Sequence, residues 1–221
     1  MDIHHYCLSK YGAEATLPFG PSPVCFKVGG KIFAQLYAEK LTLKCTLSQG
    51  ELFRSLWPEM VVRGYHCPPV QQPYWNTFDL SRFPEAELPG MIDLAYRAVL
   101  DSFSKRKRAQ ILGPMGTTVT VQVDRPLGSC HPNHPDIYYS VNYGFIPGIM
   151  APDGEEQDAY LLGIDHPTNR FTGTVIAVIH REDDCEDKWV VAPEGMTFSP
   201  TQILDAVHFQ EQYFRTRILT L

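Results

Sequence analysis

The sequence predicts an α+β chain of two domains: an N-terminal α+β sandwich with an antiparallel sheet, then a small C-terminal β-barrel with a terminal helix. Three observations predict it. Between Val24 and Lys44, short β-rich runs separated by turn signals form a meander flanked by helical patterns. From Thr118 onward, short alternating runs recur with turns between them, and one helical pattern follows. Between the two halves lies the charge run Lys105-Arg106-Lys107-Arg108, then Gly113, Pro114 and Gly116. The domains are thus expected over 1–104 and 118–221, with a basic, Gly/Pro-containing linker over 105–117.

In chain order, Ile3 to Lys10 suits a short helix, and Tyr11 to Pro23, with two glycines and three prolines, a loop. Val24 to Val28 and Lys31 to Tyr37 are strands joined by the hairpin signal Gly29-Gly30. Lys40 to Lys44 alternates as a half-buried third strand. Thr46 and Gln49 have capping-box spacing ahead of a helix from Leu47 to Trp57, which Pro58 stops. Val61 to Tyr65 and Tyr74 to Phe78 are further strands, and Ile92, Tyr96, Val99 and Leu100 share one face of a helix from Gly90 to Phe103. The four cations that follow complement the C-terminus of that helix. In the second half, strands are expected over Thr118–Val123, Tyr138–Ile146, Asp158–Leu162, Thr174–His180 and Lys188–Val191. Ser199 and Pro200 then open a helix to about Tyr213.

A net charge of −6 excludes a general nucleic-acid or membrane binder for the chain as a whole, although an average can hide a basic half. Six scattered cysteines without a CxxC pair support neither zinc nor a disulfide framework. The first ten residues lack an apolar stretch of signal-peptide type, and no run has membrane-span length, so a cytoplasmic protein is expected.

The stretch of greatest chemical interest is Tyr138 to Gly163. Aromatics recur at Tyr139, Tyr143 and Phe145, Pro147-Gly148 follows, and then comes Asp153-Gly154-Glu155-Glu156-Gln157-Asp158. By itself the acidic hexapeptide reads better as a solvated turn. As a ligand set, its oxygens at close spacing suit a hard ion such as Mg2+.

Together, YxxNYGxI and DGxxxD resemble the soluble inorganic pyrophosphatases, whose fold is a small β-barrel of OB type. The family pattern Y-P-x-N-Y-G-[YF]-I falls on Tyr139 to Ile146, and D-G-D-P-x-D on Asp153 to Asp158, with Glu155 at the middle aspartate and Glu156 at the proline. A second block, Glu186-Asp187-Lys188 before Trp189 to Pro193, resembles the family's D-x-K ahead of a V-x-V-P strand. The resemblance implies Mg2+ held by Asp153, Glu155, Asp158 and Glu186, catalytic roles for Asp158, Lys188 and Tyr143, and phosphate contacts from Lys188, Tyr143, Tyr213, Arg215 and Arg125. It also has departures. An earlier family aspartate falls on Arg181, with Asp183 as the nearby substitute. Gln122 stands where the family has a glutamate, and the segment from Asp124 to Asp136 is too short for the family's long basic hairpin. Its basic candidates are Arg125, His131 and His134.

The N-terminal half resembles the YjbR/MmcQ family, carried by Lys27 to Lys31, Leu43-Lys44-Cys45, Gly64-Tyr65-His66 and Trp75-Asn76. That resemblance implies a fold related to frataxin and DNA binding. Tyr74 stands where the family has a histidine. Lys27, Lys31, Lys40, Lys44 and Arg63 are candidates for phosphate contacts, and Tyr65, Tyr74 and Trp75 for base stacking; a solvated lysine face beside a core tryptophan is the alternative.

Two functions are therefore expected. One is Mg2+-dependent hydrolysis of pyrophosphate, or a related phosphoanhydride, by a barrel fused to a DNA-binding domain. The other is a barrel that binds metal, phosphate or a nucleotide without turnover, on a nucleic-acid-binding protein. The sequence sets no oligomeric state.

Overall fold

A computed structural model describes every residue except Tyr65, so the stacking role expected for Tyr65 lies outside the described residues. The chain divides into two compact units, Met1–Gly113 and Pro114–Leu221.

The first unit contains α1 (Ile3–Leu8), β1 (Ala13–Thr16), β2 (Val24–Val28), β3 (Lys31–Leu36), β4 (Lys40–Lys44), α2 (Leu47–Leu56), β5 (Val61–Arg63), β6 (Trp75–Asp79), α3 (Leu88–Asp101) and α4 (Lys105–Leu112). Its sheet runs β1-β2-β3-β4-β6-β5, with every pairing antiparallel. Positive φ at both Gly29 and Gly30 makes the β2–β3 turn, as a two-residue hairpin matched to strand twist requires. The capping box at Thr46 and Gln49 forms in both directions. Phe26, Val28, Phe33, Leu41, Leu43 and Phe78 form one sheet face and bury against Ile92, Ala95, Tyr96 and Val99 of α3.

Two elements differ from expectation. Ala13–Thr16, read as loop, pairs with β2 as an edge strand. Residues 105–112, read as linker, are helical. Four cations in a first helical turn oppose the macrodipole. Two features compensate: Ser104 accepts a hydrogen bond from the Lys107 amide, and Ile111 and Leu112 pack on the N-terminal core.

The second unit contains β7 (Thr118–Arg125), β8 (Asn142–Met150), β9 (Glu156–Leu161), β10 (Arg170–Arg181), β11 (Lys188–Ala192), α5 (Pro200–Glu211) and β12 (Thr216–Thr220). Strands run in the order β7-β8-β9-β11-β10, and β10 pairs back onto β7, closing a five-stranded barrel of OB type. Strands β9 and β11 are parallel and the other pairs antiparallel. Long β10 serves three partners, β7, β11 and β12, with a register shift between Val175 and Ala177. Ile203 and Val207 of α5 pack on Tyr143, Tyr160, Ile179 and Val190. The terminal helix stops at Glu211, short of Tyr213, and the chain returns as β12, a strand absent from the expectation.

Two residues of the NYG block are structural. The Asn142 side chain is fully buried, accepts from the Leu127 and Thr168 amides at 3.0 and 3.2 Å, and donates to the His166 carbonyl at 2.9 Å. It thereby ties two loops to the start of β8. A Cβ on Gly144 would lie 2.0 Å from the Gln122 carbonyl oxygen and 2.7 Å from Val123 Cα, so only glycine lets β7 and β8 approach.

The units differ in charge. The first carries thirteen Lys/Arg against ten Asp/Glu, a net +3; the second carries six against fifteen, a net −9. No helix among the described residues is long and apolar enough to cross a membrane.

We propose that the units are independent domains meeting at Gly113-Pro114. Limited proteolysis is expected to cut first within 113–117 and leave α4 attached to the N-terminal piece. Fragments 1–113 and 114–221 are each expected to unfold cooperatively in urea. First cleavage within 105–112 would contradict this boundary.

Candidate active site

Strand register assembles the site. Parallel pairing sets Trp189 beside Ala159, which brings Lys188 level with Asp158. Antiparallel pairing sets Tyr143 opposite Tyr160, two residues beyond Asp158 on the same strand face. Glu186, two residues before Lys188, enters from the loop between β10 and β11.

The side chains meet. The Tyr143 phenol donates to Asp158 Oδ2 at 2.5 Å, and Lys188 Nζ donates to the same oxygen at 2.7 Å. Lys188 Nζ also donates to Glu186 Oε2. The Lys188 side chain is 5% exposed, so this ammonium is held between two carboxylates largely away from water. Burial pushes the Glu186 carboxyl above its ordinary pKa; Lys188 opposes that shift, and the charges of Asp158 and Asp153 add to it. Burial, then the adjacent Asp158, pushes the Tyr143 phenol well up, so it remains a proton donor.

Asp153 and Glu155 lie on the exposed turn between β8 and β9, where Asp153 Oδ1 accepts the Glu155 amide at 2.9 Å. Glu156 accepts the Gly148 amide at 2.8 Å. The donor set is all oxygen, as a hard cation prefers. Among the described residues, however, no three His, Cys, Asp or Glu side chains converge closely enough to hold a metal ion, and Lys188 lies between two of the expected ligands.

Most of the second acidic loop is engaged elsewhere. Asp183 accepts the Arg215 amide, Asp184 pairs with Arg181, Asp187 with His180 and Glu182 with Arg217. Asp183 is thus committed to the C-terminal segment, and Glu186 is the loop residue that reaches Lys188. Behind the site, the Arg181 side chain is 3% exposed and meets the fully buried Glu211 carboxylate through two bonds, at 2.6 and 3.0 Å. It also lies 3.7 Å from the centre of the Phe214 ring. The Tyr160 hydroxyl donates to Glu211 at 2.6 Å. Sequence reasoning missed Glu211; its one signal is an acid within the apolar pattern of the last helix.

The remaining expected phosphate contacts stand apart from the Lys188 cluster. The Tyr213 ring is exposed, and the Arg215 side chain is 74% exposed. Arg125 sits opposite Tyr143 in register and pairs with Asp124, and its charge acts on Tyr139 and His131. The Gln122 amide donates to the Asn169 carbonyl.

In the first unit, Lys44 Nζ lies 5.1 Å from both the Tyr74 and Trp75 ring centres, on the face opposite the core. Lys27 alternates with core residues Phe26 and Val28 and faces the same way. Lys31 instead bonds Ser102 and lies 4.2 Å from the Phe103 ring centre, on the helix side. The lysines therefore divide between two faces.

The YjbR family model matches residues 8–98. An inorganic pyrophosphatase from a Nostoc species is 33% identical over 99 residues, 45% of this chain and 50% of that protein. The chain thus spans about half the length of the curated relative it matches. A Deinococcus radiodurans protein with a DUF419 domain is a structural neighbour at 25% identity, with a TM-score of 0.45 over 50% of this chain and 85% of that one. Inorganic pyrophosphatase from Ehrlichia chaffeensis aligns at 18% identity, with a TM-score of 0.38 over 46% of this chain and 84% of that one. The N-terminal half resembles YjbR, and the C-terminal half resembles an inorganic pyrophosphatase.

Glu211→Ala is expected to destabilise the barrel unit by about 3–5 kcal/mol, because it leaves the Arg181 guanidinium buried without its main partner. Glu211→Gln, which keeps the shape but loses the charge, should cost less. Urea unfolding of fragment 114–221 measures both, and a Glu211→Ala loss under about 1 kcal/mol would contradict a buried charge pair.

Proposed function

We propose that the barrel unit is a Mg2+-dependent hydrolase of phosphoanhydrides, with inorganic pyrophosphate as the simplest substrate. The observation that carries this reading is the buried Lys188 ammonium joining Asp158 to Glu186, with the Tyr143 phenol on the same Asp158 oxygen. Asp158 accepts the proton of the attacking water. Lys188 and Tyr143 are its neighbouring donors, ready to turn to phosphoryl oxygens, where negative charge grows in the transition state. To hold Mg2+, Asp153, Glu155, Asp158 and Glu186 would have to draw together from their separate positions with Lys188 turned aside; when bound, the ion would neutralise phosphoryl charge and activate water. Charge balance supports a cation requirement. The unit carries −9, and Arg181 and Lys188, two of its six cations, are buried against carboxylates, so an anionic substrate meets net repulsion.

One observation weighs against a metal-dependent hydrolase and so favours the second reading, a barrel that binds metal, phosphate or a nucleotide without turnover: Lys188 already neutralises two of the expected metal ligands. Phosphate release from pyrophosphate with and without Mg2+ separates the two. Wild type is expected to be active only with the metal. Asp158→Asn should lose at least about 100-fold in kcat/KM with its urea midpoint retained. Lys188→Ala should raise KM for pyrophosphate more than it weakens Mg2+ binding. An active wild type with an equally active Asp158→Asn would refute the site, and Mg2+ binding without hydrolysis would support the second reading.

For the first unit we propose nucleic-acid binding through Lys27, Lys44 and Trp75, supported by the +3 charge and by Lys44 lying against two aromatic rings. Fragment 1–113 is expected to bind DNA with an affinity that falls as salt rises, because phosphate contacts release counterions. No binding at low salt would refute this.

A further inference from the structure

Strand β9 carries a polar side chain where its neighbours on the same face are apolar. Side chains alternate along a strand, so Gln157 shares a face with Ala159 and Leu161, away from Asp158 and Tyr160. Ala159 and Leu161 are fully buried, and Gln157 is 4% exposed. A buried carboxamide costs free energy unless it is hydrogen-bonded, and an apolar side chain would pack there without that cost. The bonds Gln157 makes are therefore the clue to its purpose.

Its Nε2 donates to the Asp187 carbonyl at 2.5 Å and to the Asp158 carbonyl at 3.2 Å. Asp187 belongs to the loop between β10 and β11 and stands between Glu186 and Lys188 in the chain. The parallel pairing of β9 with β11 begins at Ala159 and Trp189. The Gln157 amide thus adds a side-chain rung just ahead of the ladder, where the loop joins it. A second contact holds the same residue: His180 Nδ1 lies 2.8 Å from Asp187 Oδ1. The His180 and Asp187 side chains are 36% and 41% exposed, so water competes there, whereas the Gln157 side chain is shielded.

Fixing the Asp187 carbonyl fixes the backbone on either side of it. Glu186 leaves that backbone on one side and Lys188 on the other, and Lys188 bonds both Glu186 and Asp158. We infer that Gln157 is a positioning residue: its carboxamide holds the loop backbone at Asp187 and so keeps Glu186 and Lys188 converged on Asp158. The inference rests on the reading of that cluster as the active site, and its first test is independent of turnover.

The experiment compares the full chain with its Gln157→Met variant, which keeps the length of the side chain and removes its N–H donors. Nuclear magnetic resonance of the lysine ammonium groups reports on Lys188, because an ammonium that is 5% exposed and bonded to two carboxylates exchanges its protons slowly. Lys188→Arg identifies the signal by removing it. In Gln157→Met, exchange at Lys188 is expected to quicken at least about tenfold, with a urea midpoint that shows the barrel still folded. A side chain that merely packs would be replaced by Met without effect on Lys188. With Mg2+ and pyrophosphate, kcat/KM of the variant is expected to fall at least about tenfold, less than for Asp158→Asn, because the reacting groups are displaced and not removed. Unchanged exchange in a folded variant, or no slowly exchanging Lys188 ammonium in the wild type, would overturn the inference whatever the turnover. Quickened exchange with an unchanged kcat/KM would overturn it as well, since the amide would then serve the loop alone. Quickened exchange in a protein that hydrolyses no pyrophosphate would support the hold on the cluster and refute the hydrolase reading. If Gln157→Met does not fold, Gln157→Asn, whose carboxamide is one methylene short of Asp187, is read by the same outcomes.

Discussion

The Lys188 cluster of the barrel unit depends on where the barrel closes. A five-strand sheet becomes a barrel here because β11 enters between β9 and β10, parallel to the first and antiparallel to the second. That parallel register sets Lys188 beside Asp158, and a slip of one residue would turn Lys188 to the other face of the sheet. Barrel closure and the meeting of ammonium and carboxylate are therefore one event. The ion pair also fixes the base of the loop that delivers Glu186. Without Lys188, Asp158 and Glu186 would face each other as like charges in a partly buried setting, a state that burial already disfavours for Glu186.

Charge is distributed with similar economy. Of the acids between β10 and β11, four pair with Arg181, Arg215, Arg217 or His180, leaving Glu186 for the site. Arg181 is central to this division. It is buried against Glu211, Asp184 and the Phe214 ring, which ties the second acidic loop to the end of α5. A buried arginine left without its main partner would be costly, so this cation anchors the fold and is not available for a substrate.

Much of the architecture was legible because it rests on local signals. Gly29-Gly30, the capping boxes at Thr46 and Ser199, and the alternating strands around the acidic turn each carry their structure in adjacent residues. The misses share a physical cause. Residues 105–112 open with charges that suit the end of a helix, and Ile111 and Leu112 make them helical by packing on a distant core. Thr216–Thr220 is a strand because β10 offers it an edge, which no local pattern reveals. Tyr143, Asp158, Glu186 and Lys188, which meet in the structure, were singled out through the resemblance to the pyrophosphatase motifs. The ammonium between the two carboxylates was not, because it follows from a parallel register formed across thirty residues of chain.

The same distinction separates the residues of the NYG block. A motif is visible as a unit in sequence, yet its members have different physical duties. Asn142 ties two loops to β8, and Gly144 permits two backbones to approach within a distance that any Cβ would block. Tyr143, between them, turns its phenol to Asp158. Resemblance in that block therefore reaches the fold through two of its residues and the Lys188 cluster through one. Outside the block the chain departs from the family pattern in the segment after β7, Asp124 to Asp136. Residues 131–137, which close that segment, and the end of α5 flank a hollow of about 440 Å³. A short segment after β7 and the acids joined by Lys188 thus coexist in one barrel.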